Sequence, residues 1–268
     1  MPYRMDFADV AADLRRDAPD RLLELGALDV ERVGANGLAV LMPDSIAPHQ
    51  VAHAFGVGEW SVSPATGRDA DSVWILSPFP IHVAGLRIVP AAVEAEAGAI
   101  KLIDGAAFGT GLHPTTALCL EALDQEARIA RPDSVLDVGT GSGVLALAAL
   151  MMGVPHACGV DIDDEALRVA KENARINGMA DRLRLARGGP EAVAGTWPLV
   201  LANIVTASLI EIAPALVRRI GHQGRLIASG ISSSLQDEVV DTYRRLGMRS
   251  LRAESRNGWV MIVLMATW

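Results

Sequence analysis

Between residues 8 and 26, apolar side chains fall at helical spacing at Val10, Leu14, Leu22, Leu23 and Leu25, and the run closes on Gly26. Gly34-Ala35-Asn36-Gly37 reads as a turn, the apolar run 38–42 as a short strand stopped by Pro43, and residues 47–55 as a second helix. These elements predict a small α+β domain over residues 1–60, close to the lower size limit for independent stability. Residues 61–72 are small, polar and punctuated by Pro64 and Gly67, which predicts a flexible linker. Short β-prone runs at 73–76 and 86–89 then open a larger domain, residues 73–268.

From residue 134 the pattern alternates with a fixed rhythm. Strands are expected at 134–138, 157–162, 183–186, 199–204 and 225–229, and helices at 144–152, 164–177, 207–220 and 235–246. Strand and helix in turn predict a parallel sheet covered on both faces, an α/β fold of Rossmann-like type. The chain ends differently, with β-prone runs at 251–255 and 259–265 flanking Asn257-Gly258, a pair suited to a tight hairpin turn.

Composition narrows the picture. The 268 residues are 50% hydrophobic, enough for one sizeable core and a small second domain. The formal net charge of −8 argues against a general nucleic-acid binder and suits a basic protein partner. Cys119 and Cys158, with no Cys-x-x-Cys spacing, read as reduced core thiols, and no metal site is expected. The N-terminus has no signal-type apolar core, and the longest apolar run falls short of the ~20 residues a bilayer span needs, so a cytoplasmic protein without membrane contact is expected.

The candidate chemistry begins at Gly139-Thr140-Gly141-Ser142-Gly143, which turns strand 134–138 into a helix. Glycines let a ligand lie against bare backbone beside the free amides of a helix start. A dinucleotide fingerprint would require glycine at position 144, where Val144 stands. The loop therefore suits a ligand without a pyrophosphate, such as an adenosine carrying an amino-acid tail. Asp161 ends the next strand and can accept hydrogen bonds from two ribose hydroxyls, whereas Asp163 reads as the cap of the following helix. Asn203 ends the fourth strand at the ligand edge of such sheets, and its side-chain carbonyl can accept a hydrogen bond from an incoming amine. Residues 108–116 precede a helix expected at 117–122, and by composition alone are turn and capping chemistry.

The segment Phe108-Gly109-Thr110-Gly111-Leu112-His113-Pro114-Thr115-Thr116 closely resembles a signature of the PrmA family, the bacterial ribosomal protein L-eleven methyltransferases. The resemblance continues through Leu136 to Gly143, Gly159-Val160-Asp161, Glu172-Asn173-Ala174-Arg175-Ile176-Asn177-Gly178 and Ala202-Asn203-Ile204. It covers residues 74–268 well and the first 60 more loosely. It implies a seven-stranded class I methyltransferase domain using S-adenosylmethionine, preceded by a substrate-recognition domain. Cofactor contacts are implied from Thr116, Gly139, Asp161 and Asn203, beside those the loop itself suggests at Gly141 and Gly143. Phe108 would stack near the methionine end or guide the substrate amine, and Asn203 would hold that amine. The implied partner is a basic protein of the large ribosomal subunit, methylated on lysine side chains or on its N-terminal amine. The rival readings are a lysine methyltransferase acting on another protein, a small-amine methyltransferase, and a nucleoside-binding module without chemistry.

Overall fold

The computed structural model describes residues 3–11, 14, 18, 21, 22, 24–33, 36–43, 46–55, 59–64, 81–91, 98–103, 114–256 and 258–268. The chain divides into two compact units, Met1–Ile81 and His82–Trp268.

The first unit holds β1 (Tyr3–Phe7), β2 (Asp29–Val33), β3 (Gly37–Met42), helix α1 (Pro48–Phe55) and β4 (Trp60–Pro64). The strands form an antiparallel sheet in the order β2-β3-β1-β4. All six residues of β3 are buried, which is why its sequence reads as a continuous apolar run with no alternation. On one face Met5, Phe7, Leu38, Val40 and Met42 pack with Leu22, Val51 and Phe55, and Phe7 meets Phe55 edge to face at 5.3 Å. Strand β4 extends this unit beyond residue 60, so residues 61–64, expected in the linker, belong to the sheet. Residues 65–80, which include the rest of that expected linker and the strand expected at 73–76, lie outside the described residues.

The second unit opens with a small sheet of β5 (Ile81–Val83), β6 (Leu86–Pro90) and β7 (Ala99–Leu102). It continues with α2 (Pro114–Ala130), β8 (Ser134–Val138), α3 (Val144–Met151), β9 (His156–Asp161), α4 (Asp164–Ile176), β10 (Leu183–Arg187) and β11 (Trp197–Asn203). It closes with α5 (Thr206–Glu211), α6 (Ala213–Val217), β12 (Ile220–Ser232), α7 (Gln236–Arg245), β13 (Met248–Arg256) and β14 (Trp259–Ala266). Strands β8 to β14 form one seven-stranded sheet in the order β10-β9-β8-β11-β12-β14-β13. The first five run parallel and β14 runs antiparallel to both of its neighbours, so the expected α/β sheet with a closing hairpin is present.

One face of this sheet packs Leu136, Val200, Leu226 and Ile262 against Leu209, Leu216, Val239 and Tyr243 from α5, α6 and α7. Helix α2 lies over β11, β12, β14 and β13, while α3 packs on β8 and β9. The single helix expected at 207–220 is two. Pro214, which has no N–H to donate, sits at the start of α6, and the chain has already entered β12 by Ile220. Helix α2 is longer than the expected 117–122 and continues to Ala130, because its buried stripe includes Glu126 as well as apolar residues.

Candidate active site

The register of the sheet brings the site together. Val138 pairs with Val160 on β9 and with Ala202 on β11. The next residues, Gly139, Asp161 and Asn203, therefore leave three neighbouring strands at one level, at their carboxyl ends. The chain crosses from β8 to β9 on one side while β11 lies on the other, so this level is a switch point where a crevice opens.

The glycine loop takes backbone angles closed to most side chains, with φ of 71° at Gly139, 54° at Gly141 and 80° at Gly143. A Cβ on Gly139 would also collide with Cγ2 of Ile204, so the loop and the end of β11 are in contact. The amides of Gly139 and Thr140 both donate to Val160 O, at 2.9 and 3.0 Å. Asp161 accepts from Gly141 N at 2.9 Å through Oδ2 and from Asp163 N at 3.1 Å through Oδ1. Each of these oxygens keeps a further lone pair for a ligand hydroxyl. Asp163 caps α4, accepting from Glu165 N at 2.9 Å, as its position suggested.

Asn203 is 9% exposed. Its Nδ2 donates to Oγ1 of Thr116, fully buried in the first turn of α2, at 3.3 Å. Its Oδ1 has no partner among the described residues. A buried acceptor in that state costs stability until a ligand or water completes it. Phe108, with the rest of residues 104–113, lies outside the described residues.

Three further features escaped the sequence reading. Asn173 on α4 and Asn177, one turn on at its C-terminal cap, tie three elements together. Asn173 donates to Ser142 O at 2.9 Å and accepts from Ile103 N at 2.8 Å, and Asn177 bonds both the N and O of Lys101, at 2.8 and 2.7 Å. The glycine loop and the end of β7, from which residues 104–113 emerge, thus share one buried anchor. Asp137, beneath the loop, is buried, and desolvation pushes its carboxyl up to about 7 against the pull of the Thr140 hydroxyl and the Ala146 amide. The Thr140 bond to Oδ2 is 2.7 Å. Ile162, immediately after Asp161, is 76% exposed, an apolar surface at the mouth of the crevice. Its position at a strand end was the available signal. Among the described residues, no group of His, Cys, Asp and Glu could hold a metal ion, and no helix is long and apolar enough to cross a membrane.

Comparison with known proteins agrees with this geometry. The model of the family described as ribosomal protein L11 methyltransferase (PrmA) matches residues 65–267. A ribosomal protein L11 methyltransferase of Methylococcus capsulatus is 34% identical over 282 residues, covering 94% of this chain and 95% of that one. One from Azotobacter vinelandii is 34% identical with 98% of each chain covered. One from Chromohalobacter salexigens is 43% identical over 203 residues, 73% of this chain and 66% of that one. The crystal structure of a ribosomal protein L11 methylase from Lactobacillus delbrueckii subsp. bulgaricus matches with a TM-score of 0.64 and 28% identity, over 70% of this chain and 98% of that one.

The seven-stranded mixed sheet and its glycine-lined crevice define a class I methyltransferase dependent on S-adenosylmethionine. Within that class, the chain belongs to the ribosomal protein L11 methyltransferase (PrmA) family.

Proposed function

We propose that this protein transfers methyl groups from S-adenosylmethionine to amino groups of ribosomal protein L11, on lysine side chains or the N-terminal amine. The observation that carries the reading is the buried Oδ1 of Asn203, which has no partner among the described residues and stands at the level of the glycine loop. The residues present fit the cofactor: a loop that excludes side chains, a carboxylate with lone pairs to spare, and an apolar surface beside it.

When bound, S-adenosylmethionine supplies a methyl group on a sulfonium, already an excellent leaving group. The protein's contribution is alignment and exclusion of water. Gly139, Gly141 and Gly143 admit the methionine end, Asp161 takes the ribose hydroxyls, and Ile162 offers its apolar face to the adenine. Thr116 fixes the Asn203 amide, and Asn203 Oδ1 accepts one N–H of the substrate amine, turning the nitrogen lone pair toward the methyl group. A lysine amine, ordinarily near ~10.4, must shed a proton first, and a dry pocket lowers that value. The role proposed for Phe108 is to stack near the methionine end or guide the substrate amine.

The small unit is assigned to substrate recognition. Residues 1–64 carry five arginines and no lysine against ten carboxylates, a charge balance suited to a basic partner. This assignment places the enzyme in the cytoplasm, with its ribosomal substrate.

The test is incorporation of labelled methyl groups into ribosomal protein L11 purified from cells lacking the enzyme. Label on amino groups of that protein is expected. Label that appears on other proteins in a lysate of those cells, with none on ribosomal protein L11, would overturn the substrate.

A further inference from the structure

Of the described residues, eight large apolar side chains stand exposed, and two of them follow the strand ends on the side of the crevice away from Asp161. Val205, two residues beyond Asn203, is 65% exposed, and Leu235, just past the end of β12, is 38% exposed. The segments that carry them are fastened to each other. Thr206 Oγ1 donates to Gly230 O at 3.1 Å and accepts from Ser232 N at 3.1 Å. Ile204 N donates to Ser229 O at 3.2 Å. Gly230, at φ 80°, lies so close to the backbone of Ile204 that a Cβ there would strike its carbonyl. The bulge this makes in β12 interrupts its pairing with β14 between Ala228 and Ile231. Residues 203–206 and 229–235 are therefore braced as one lip, which carries the buried Asn203 Oδ1, without a partner among the described residues, and the exposed Val205 and Leu235.

We infer that Val205 and Leu235 receive the alkyl stem of the methyl-accepting side chain. A lip that combines an acceptor oxygen with exposed apolar side chains matches an amphipathic rod, an amine on a chain of methylenes. Asp161 and Ile162, across the switch point, are left to the cofactor. The inference rests on the amine-methylating reading above and adds to it the residues that grip the substrate. Their contribution is to binding of the acceptor: each buried methylene strengthens association about threefold to fourfold.

The test has two arms. In the first, Val205→Ser, Leu235→Ser and the double variant are assayed on ribosomal protein L11 with labelled S-adenosylmethionine. The KM for the protein should rise about tenfold in the double variant and by less in each single one. The fall in kcat should be smaller, and the dissociation constant for S-adenosylmethionine should stay within twofold. In the second arm, protein loaded with S-adenosylhomocysteine is titrated with n-propylamine, n-butylamine, n-pentylamine and n-hexylamine by calorimetry. Affinity should climb with chain length in the wild type and flatten in the variants. An unchanged KM in all three variants, or a ladder equally steep in the double variant, overturns the lip. Wild-type protein that transfers no label to any protein sinks the amine-methylating reading instead, and the amine ladder still decides the lip.

Discussion

Thr116 and Asn203, 87 residues apart in the chain, meet at 3.3 Å, hydroxyl to amide nitrogen. This bond uses the donor end of the Asn203 side chain and leaves the acceptor end without a partner among the described residues. Asn203→Ala should therefore lower kcat about 100-fold while the dissociation constant for S-adenosylmethionine changes less than threefold. Thr116→Val should cost about tenfold in kcat by freeing the amide to turn, and Thr116→Ser should restore most of it. Equal losses in cofactor affinity and turnover would contradict the amine-holding role.

Asn173 makes the opposite separation. Its amide joins Ser142 O to Ile103 N, so Asn173→Ala strands two backbone groups at about 1–3 kcal/mol each. Cofactor affinity should drop about tenfold because the glycine loop loses its brace, while kcat at saturating cofactor falls less. A titration of S-adenosylhomocysteine against the variant reads this directly.

Asp137 makes stability depend on pH. Its carboxyl is raised from the ordinary aspartate range to about 7, so the folded state holds the proton more tightly than the unfolded one. The resulting stability is complete below about pH 4 and is lost as pH climbs through 7. Asp137→Asn keeps a similar shape without the titration. The variant should therefore gain on the wild type by about 3 kcal/mol between pH 5 and pH 8, measured by urea unfolding. Parallel pH curves for the two proteins would show that Asp137 is not the group responsible.

Glu126 is 1% exposed on α2, where it pairs with Arg225 of β12 and, at 3.3 Å, with Arg252 of β13. Glu126→Gln removes the countercharge of Arg225 and one of two from Arg252, which keeps Glu254 at 3.4 Å, and should lower stability by about 1–3 kcal/mol. The melting temperature should fall accordingly. Since α2 also carries Thr116, kcat should fall more than cofactor affinity in whatever fraction remains folded. A variant as stable as the wild type would show that the triad is not what seats the helix.

The sheet was legible in the sequence where burial leaves a strong signature. Val135, Leu136, Val138 and Leu199 to Ala202 are apolar because helices cover both faces, and the glycines, Asp161 and Asn203 mark the carboxyl ends of these strands. Strand β1 was overlooked although Tyr3, Met5 and Phe7 alternate with Arg4 and Asp6, because the run is only five residues long. Glu126 was illegible for a different reason. A buried charge looks like any surface carboxylate until Arg225 and Arg252, far along the chain, arrive beside it. The motif around Asn173 and Asn177 was visible as letters, but its purpose depends on contacts with β7 and Ser142 that no local pattern contains.

We propose that the crevice between Gly139, Asp161 and Asn203 takes up an adenosyl sulfonium, and calorimetry on cofactor-free protein reads that uptake without an intervening step. Saturable uptake of S-adenosylmethionine and S-adenosylhomocysteine at one equivalent per chain is expected, abolished in Gly139→Ala, whose new methyl group would strike Ile204. No heat of binding from either compound with the wild type, or binding that survives Gly139→Ala unchanged, would contradict it.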